Sequence, residues 1–337
     1  MFQYIIRRLA LSAPTLLGIT LITFLISHAL PADLVIANLG DHAAQDPQLV
    51  AAFREKWGLD RPPPTQYVIY IGHLLRGDLG TSITTEQPVR TELALSLPAT
   101  VELATASMIG AIVVGGLLGV VAAVRSDTPI DLAVRAVMTT GVALPTFWFA
   151  ILLLFVFYFR LGWAPPPGQL DAGLSPGPSI TGMYVVDSLL ERNWPVFWNA
   201  LAHLVLPAIV LATIGVGFIA RITRATVLDV LGRDYVRTAR AKGLAEPRVI
   251  WRHAVRNALI PVITVMGLLY AQLMAGTVLT EAIFSWPGLG RYAYSSAGNL
   301  DFPAIMGVAL VIGIFYVSIN LLVDVLYAYI NPRIRYE

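Results

Sequence analysis

The sequence predicts an all-α integral membrane protein with six transmembrane helices and both termini on the cytoplasmic side. Three observations carry this expectation. Of 337 residues, 56% are hydrophobic and only 13% are charged, with a mean hydropathy of +0.70; soluble domains carry roughly 25% charged residues. Six apolar stretches approach or exceed the roughly 20 residues that a helix needs to cross the hydrocarbon core. The short loops on the inner side are rich in basic residues, which is the positive-inside pattern.

The first stretch, 9–30, follows Arg7 and Arg8, which hold the N-terminus inside. It is longer than the roughly 7–15 apolar residues of a signal peptide, so it reads as a retained anchor. Residues 31–97 carry eight acids against five basic residues, with breaks at Pro62–Pro64 and Gly77–Gly80. They read as a small extramembrane cap on the outside, with short helices at 46–57 and 65–75. The remainder, 98–337, reads as a five-helix core. Its spans are 99–124, 136–159 (interrupted by Pro145), 201–220 (containing Pro207), 258–279 and 304–329. Between them lie a short basic inner loop at 125–135 and a Pro/Gly-rich outer segment at 165–178. A helical stretch at 183–192 follows, with Trp194 and Trp198 at interfacial positions. The outer loop 281–302 turns at Pro287–Gly288, and Arg333 and Arg335 keep the tail inside. Gly115 and Gly119 have the G-x-x-x-G spacing that lets helices approach closely, read here as packing within the bundle.

The inner loop 221–257 departs from this pattern. From Arg221 to Pro261 there are nine basic residues and three acids, in a chain whose net charge is only +2. YVRTARAK favours helix, Gly243 stands where a helix C-cap belongs, and Pro247 suits the first turn of a second helix. Arg233, Arg237 and Arg240 share a face of the first helix; Arg248, Arg252 and Arg256 share a face of the second. Anchoring to anionic headgroups accounts for the charge. It does not account for the length or the capped corner, so the loop reads as a docking surface for a partner.

Other chemistry is mostly excluded. There is no cysteine, and the five histidines form no metal-binding spacing. The two lysines, Lys56 and Lys242, lack the glycine-rich frame of a phosphate-binding loop, so energy for any work comes from a partner or an ion gradient. No nucleophile grouping stands out, and the net charge is too small to imply nucleic acid. Glu102 and Asp324 lie within spans, where a mid-bilayer charge is unfavourable by about 2.5–3.5 kcal/mol. Either both pair with polar groups near headgroup depth, or one is the coupling carboxylate of an ion-coupled secondary transporter. No inverted repeat supports the second reading.

At 237–243 the chain resembles the cytoplasmic Glu-Ala-Ala loop of bacterial ABC importer permeases. Arg237 and Thr238 replace the first two positions, while Ala239 and Gly243 are kept; the later Ile-x-Leu-Pro element is altered, with HAVR at 253–256. FQYIIRRL, GLDRPPPTQY, GDLGTSI, LPATVEL, YVRTARAKGL, RHAVRNALIPVIT, LTEAIFSWPGLGR and NLLVDVLYAYINPRIR extend the likeness from end to end. Together they resemble the permeases of dipeptide, oligopeptide and nickel importers, most of all the B-type subunit of dipeptide permeases. The resemblance implies a type I importer architecture in the bacterial cytoplasmic membrane. It implies as partners a second, C-type permease, two ATPases that use ATP and Mg, an external substrate-binding protein, membrane lipid and a peptide cargo, with nickel or another small solute as the alternative. No cofactor is expected on this chain, which would be a transport subunit and not an enzyme. The coupling helix would comprise Asp234, Arg237, Thr238, Ala239, Arg240, Ala241, Lys242, Gly243 and Leu244.

Overall fold

The computed structural model describes residues 2–29, 46–57 and 60–330. Among the described residues the regular structure is helical, apart from an isolated antiparallel bridge between Thr81 and Pro88. The helices are α1 (Phe2–Ala29), α2 (Pro47–Trp57), α3 (Pro63–Leu75), α4 (Val89–Val124), α5 (Pro129–Ala143) and α6 (Thr146–Leu153), which continues as the π-helical π1 (Leu154–Arg160). Then come α7 (Tyr184–Leu190), α8 (Trp194–Leu231), α9 (Asp234–Ala241) and the single turn α10 (Glu246–Arg248), which runs through π2 (Val249–Val255) into α11 (Arg256–Gly276). The chain continues with α12 (Val278–Ile283), α13 (Leu289–Gly298) and α14 (Phe302–Ile330).

Among the described residues three helices are long and apolar enough to cross a membrane: Val89–Val124, Trp194–Leu231 and Phe302–Val323. Two further crossings would be bent pairs, one turning 102° after Ala143 and one 54° before Pro261, and Leu11–Ile26 is a shorter apolar helix. The third expected span is therefore not one rod. Leu144 adopts an extended backbone before Pro145, the conformation a proline imposes on its predecessor, and the helix restarts in a new direction. Pro207, by contrast, stays inside an unbroken α8 and is buried there. That helix runs on to Leu231, so Arg221 and Arg224 belong to it and the irregular part of the basic stretch starts at Gly232. The expected outer loop 281–302 takes in the end of α12 and all of α13. The N-terminal arginine side chains, residues 30–45 and the tail from 331 lie outside the described residues.

The chain divides into two compact units. In the first, residues 1–100 and 287–317, α3 lies against α1: Tyr67 donates to Leu17 O (3.0 Å), its hydroxyl meets Thr20 Oγ1 at 2.9 Å, and its ring meets Phe24 edge-on. Val89, Leu93, Leu289, Ala304 and Val308 form its apolar centre. Fully buried Asp301 begins α14 and accepts hydrogen bonds from Ser82 Oγ (2.6 Å) and Thr84 N–H (3.2 Å), which ties down the segment before α4.

In the second unit, residues 101–286 and 318–337, α4, α8 and α11 share a core of Met108, Ala111, Ala212, Ile219, Val262 and Leu269. The glycine pair of α4 lies against α8. A Cβ at Gly119 would stand 2.6 Å from Ala220 O and from Thr223 Cβ, so no side chain fits between the two backbones. The pair serves packing within the chain. The Pro/Gly-rich segment is pinned to α8 by buried His203, whose Nδ1 lies 3.1 Å from Gly168 O and whose Nε2 lies 3.3 Å from Asp171 Oδ1.

Candidate functional site

The basic stretch folds as two short limbs around a corner. The first limb, α9, has an acid in its first turn (Asp234) and a base in its last (Arg240), matching the helix dipole at both ends. Its apolar side is narrow: Val236 and Ala239 are buried with Val249 of π2, and Val230, Leu231 and Leu244 pack around them. The helix ends in a Schellman arrangement. Gly243 N–H donates to Arg240 O (2.9 Å), Leu244 N–H donates to Ala239 O (3.4 Å), and Gly243 takes φ +77°. Leu244 then turns back onto the Val236–Ala239 cluster, so the corner is capped on its polar and its apolar side. The chain restarts at once, with Ala245 as N-cap and Pro247 in the first turn.

The nine residues expected at the coupling surface do not all face outward. Asp234, Arg237, Thr238, Arg240, Ala241, Lys242 and Gly243 are exposed. Ala239 is buried and Leu244 half-buried, so these two fix the shape of the corner from beneath. Arg240 forks onto Glu246, with Nη2 donating to Oε1 at 2.6 Å, and so ties one limb to the other. That hydrogen bond raises the pKa of the Arg240 guanidinium above its ordinary value. Arg237 pairs with Asp234 (3.5 Å) and Arg233 with Asp229 (2.7 Å). Such exposed pairs contribute little stability each; here they order the charges along the limb.

The second limb carries the corner into the bundle. Ala254 of π2 and Ala258 of α11 are buried against Val120, Ala123 and Val227 of α4 and α8. Packed side chains thus run from α9 through π2 to the long helices. A second connection escaped the sequence reading. Asp131 of α5 is fully buried and receives both donors of the Arg224 fork, Nε to Oδ1 and Nη2 to Oδ2, each at 2.7 Å. Arg135 adds a longer contact at 3.5 Å. The local signal was Thr128-Pro129-Ile130-Asp131, a capping-box spacing in which Thr128 Oγ1 accepts Asp131 N–H. The partner 93 residues away left no pattern.

Glu102 is buried on α4, and its Oε1 accepts the Val185 N–H of α7 at 2.7 Å. Asp324 lies on α14, with its side chain outside the described residues. Among the described residues no group of three or more His, Asp or Glu could hold a metal ion. An apolar cavity of about 720 Å³ opens between α4, α5 and α8, lined by residues such as Val114, Val137, Leu144, Ile209 and Val216.

Known proteins give this arrangement its context. The family described as the binding-protein-dependent transport system inner membrane component matches residues 115–336, and the N-terminal domain of such membrane components matches residues 1–104. The Di/tripeptide transport system permease protein DppB of Pseudomonas aeruginosa is 44% identical over 337 residues, covering all of both chains. The Dipeptide transport system permease protein DppB of Escherichia coli K12 is 41% identical over 339 residues, again with full coverage of both. A chain of the MetNI methionine ABC transporter, solved in inward facing conformations, has a similar fold: TM-score 0.50 at 17% identity, over 69% of this chain and 93% of that one. The chain belongs to the family of binding-protein-dependent transport system inner membrane components.

Proposed function

We propose that the chain is the membrane permease subunit of an ATP-binding cassette importer that moves dipeptides or short oligopeptides across the bacterial cytoplasmic membrane. The observation that carries this reading is the end-to-end similarity, at 41–44% identity, to permeases named for di- and tripeptide transport. In this reading the three long helices, the two bent pairs and α1 make six crossings with both termini cytoplasmic. A second, C-type permease completes the pathway, two ATPases dock beneath, and an external binding protein delivers the peptide. ATP and Mg act in the ATPases.

Coupling runs through Asp234 to Leu244. Asp234, Arg237, Thr238, Arg240, Ala241, Lys242 and Gly243 present the docking face, while Ala239 and Leu244 hold its shape. ATPase closure would press on α9, and the buried contacts of π2 with α4 and α8 would pass the movement to the spans. Alternation between inward-open and outward-open states then needs no catalytic group on this chain. The test is reconstitution of the four-subunit complex in vesicles with its binding protein and a labelled dipeptide. ATP-dependent accumulation is expected. A complex that hydrolyses ATP in response to the loaded binding protein yet excludes every di- and tripeptide overturns the cargo assignment.

A further inference from the structure

The second limb of the basic stretch has two faces with opposite chemistry. Val249, Ala254 and Ala258 are buried against the bundle. Val249 and Ala254 lie in π2 and Ala258 in the α-helix that follows, and all three meet the bundle. The change from π to α geometry thus keeps one side apolar through the junction. The other side carries Arg248, Arg252 and Arg256, all exposed, with Trp251 54% exposed among them. Unlike Arg233, Arg237 and Arg240, none of these three arginines pairs with a carboxylate among the described residues. Leu259, exposed on the next turn, begins the apolar run of α11.

A row of unpaired guanidinium groups at the mouth of a membrane-crossing helix, with an exposed indole beside it, matches a headgroup layer. Guanidinium forks fit phosphate oxygens in pairs, tryptophan settles at the interface, and the apolar side chain beyond lies at acyl depth. From charge complementarity and this continuity with α11, we infer that the face made by Arg248, Trp251, Arg252 and Arg256 is a binding site for anionic phospholipid headgroups. Its occupant is the lipid bilayer itself. The site is separate from the α9 face assigned to the ATPases and does not depend on the cargo.

The test uses the purified full-length chain in detergent, titrated with phosphatidylglycerol or phosphatidylcholine and read by native mass spectrometry. The variants are Arg248→Gln/Arg252→Gln/Arg256→Gln, the corresponding triple lysine, and Arg233→Gln/Arg237→Gln as a control on the first limb. Apparent affinity for phosphatidylglycerol should fall about fivefold for each arginine removed. The lysine triple and the control should keep most of it, and phosphatidylcholine retention should not change. Four results would overturn the assignment. They are unaltered phosphatidylglycerol retention in the glutamine triple, a lysine triple that loses as much as the glutamine one, equal losses in the control, and displacement of the lipid by inorganic phosphate at matched concentration. With the assembled complex in place of the isolated chain, loss of the ATPases from the glutamine triple while lipid retention stays intact would assign the face to a protein contact instead.

Discussion

At the scale of single residues, Gly243 and Asp187 show how much one position can hold. Gly243 has φ +77° and nothing within 4 Å of where a Cβ would stand, so its constraint is conformational and not steric. An L side chain in that region is unfavourable by about 1–2 kcal/mol, and proline, locked near φ −65°, cannot enter it at all. Gly243→Pro should leave the protein inserted but separate ATP hydrolysis from uptake; normal dipeptide accumulation by the reconstituted variant would refute the corner as a coupling element. This glycine was legible because a helix-forming run stops at it. Asp187 was not, because its partners form an irregular loop. It is buried, and its carboxylate accepts from the backbone N–H groups of Ile180, Thr181 and Gly182 and from Thr181 Oγ1. Burial pushes its pKa up, but the four donors outweigh burial and bring it below the ordinary 3.8. A carboxylate with a depressed folded-state pKa contributes stability that is fully present above its unfolded value and is lost as pH falls through the folded one. Asp187→Asn should therefore lower the melting temperature at neutral pH, and the gap from wild type should close as the pH drops below 3.8. A gap that stays constant across that range would remove the ionised carboxylate from the account.

At the scale of elements, close packing was easier to read than direction. The spacing of Gly115 and Gly119 announced a close helix approach, and α8 is the helix that approaches: Val216 O would stand 2.9 Å from a Cβ at 115. Gly119→Leu would drive a side chain into Ala220 O and Thr223. Overpacking of this kind is unfavourable by about 1–3 kcal/mol, so α4 and α8 should separate around Gly119 and the thermal stability of the detergent-solubilised chain should fall. Gly116→Leu is the matched control, since a Cβ there meets nothing within 4 Å. Equal destabilisation by both would mean that the glycine pair is not what brings the helices together. Direction was less legible. Pro145 and Pro207 look alike in sequence, yet the chain turns at the first and runs straight through the second. The difference lies in what surrounds them: Pro207 is buried in a helix packed along much of its length, whereas Pro145 follows a residue held extended. The π-helical segments left no sequence signal, because an i→i+5 register in π2 reflects which side chains meet α8, not any local propensity.

At the scale of the whole molecule, composition and the basic inner loops were enough to place the chain among membrane proteins, and the long basic stretch stood out by its length and its capped corner. What sequence patterns could not supply were the long-range joints. Arg224 and Asp131 are separated by 93 residues, and their pairing appears only once α5 and α8 lie side by side. The same scale decides what energises transport. An ion-coupled carrier needs a titrating carboxylate in its path, and only Glu102 and Asp324 were candidates by sequence. Glu102 instead holds the backbone of α7 through Oε1, an interaction that glutamine can reproduce with its carbonyl oxygen. An ATP-driven importer therefore predicts that Glu102→Gln and Asp324→Asn retain dipeptide uptake within a few fold. Collapse of the proton gradient with an uncoupler should leave uptake by the reconstituted complex unchanged, whereas omission of ATP should abolish it. Uptake that survives without ATP and stops with the uncoupler would transfer the driving force to an ion gradient and remove the coupling role from α9.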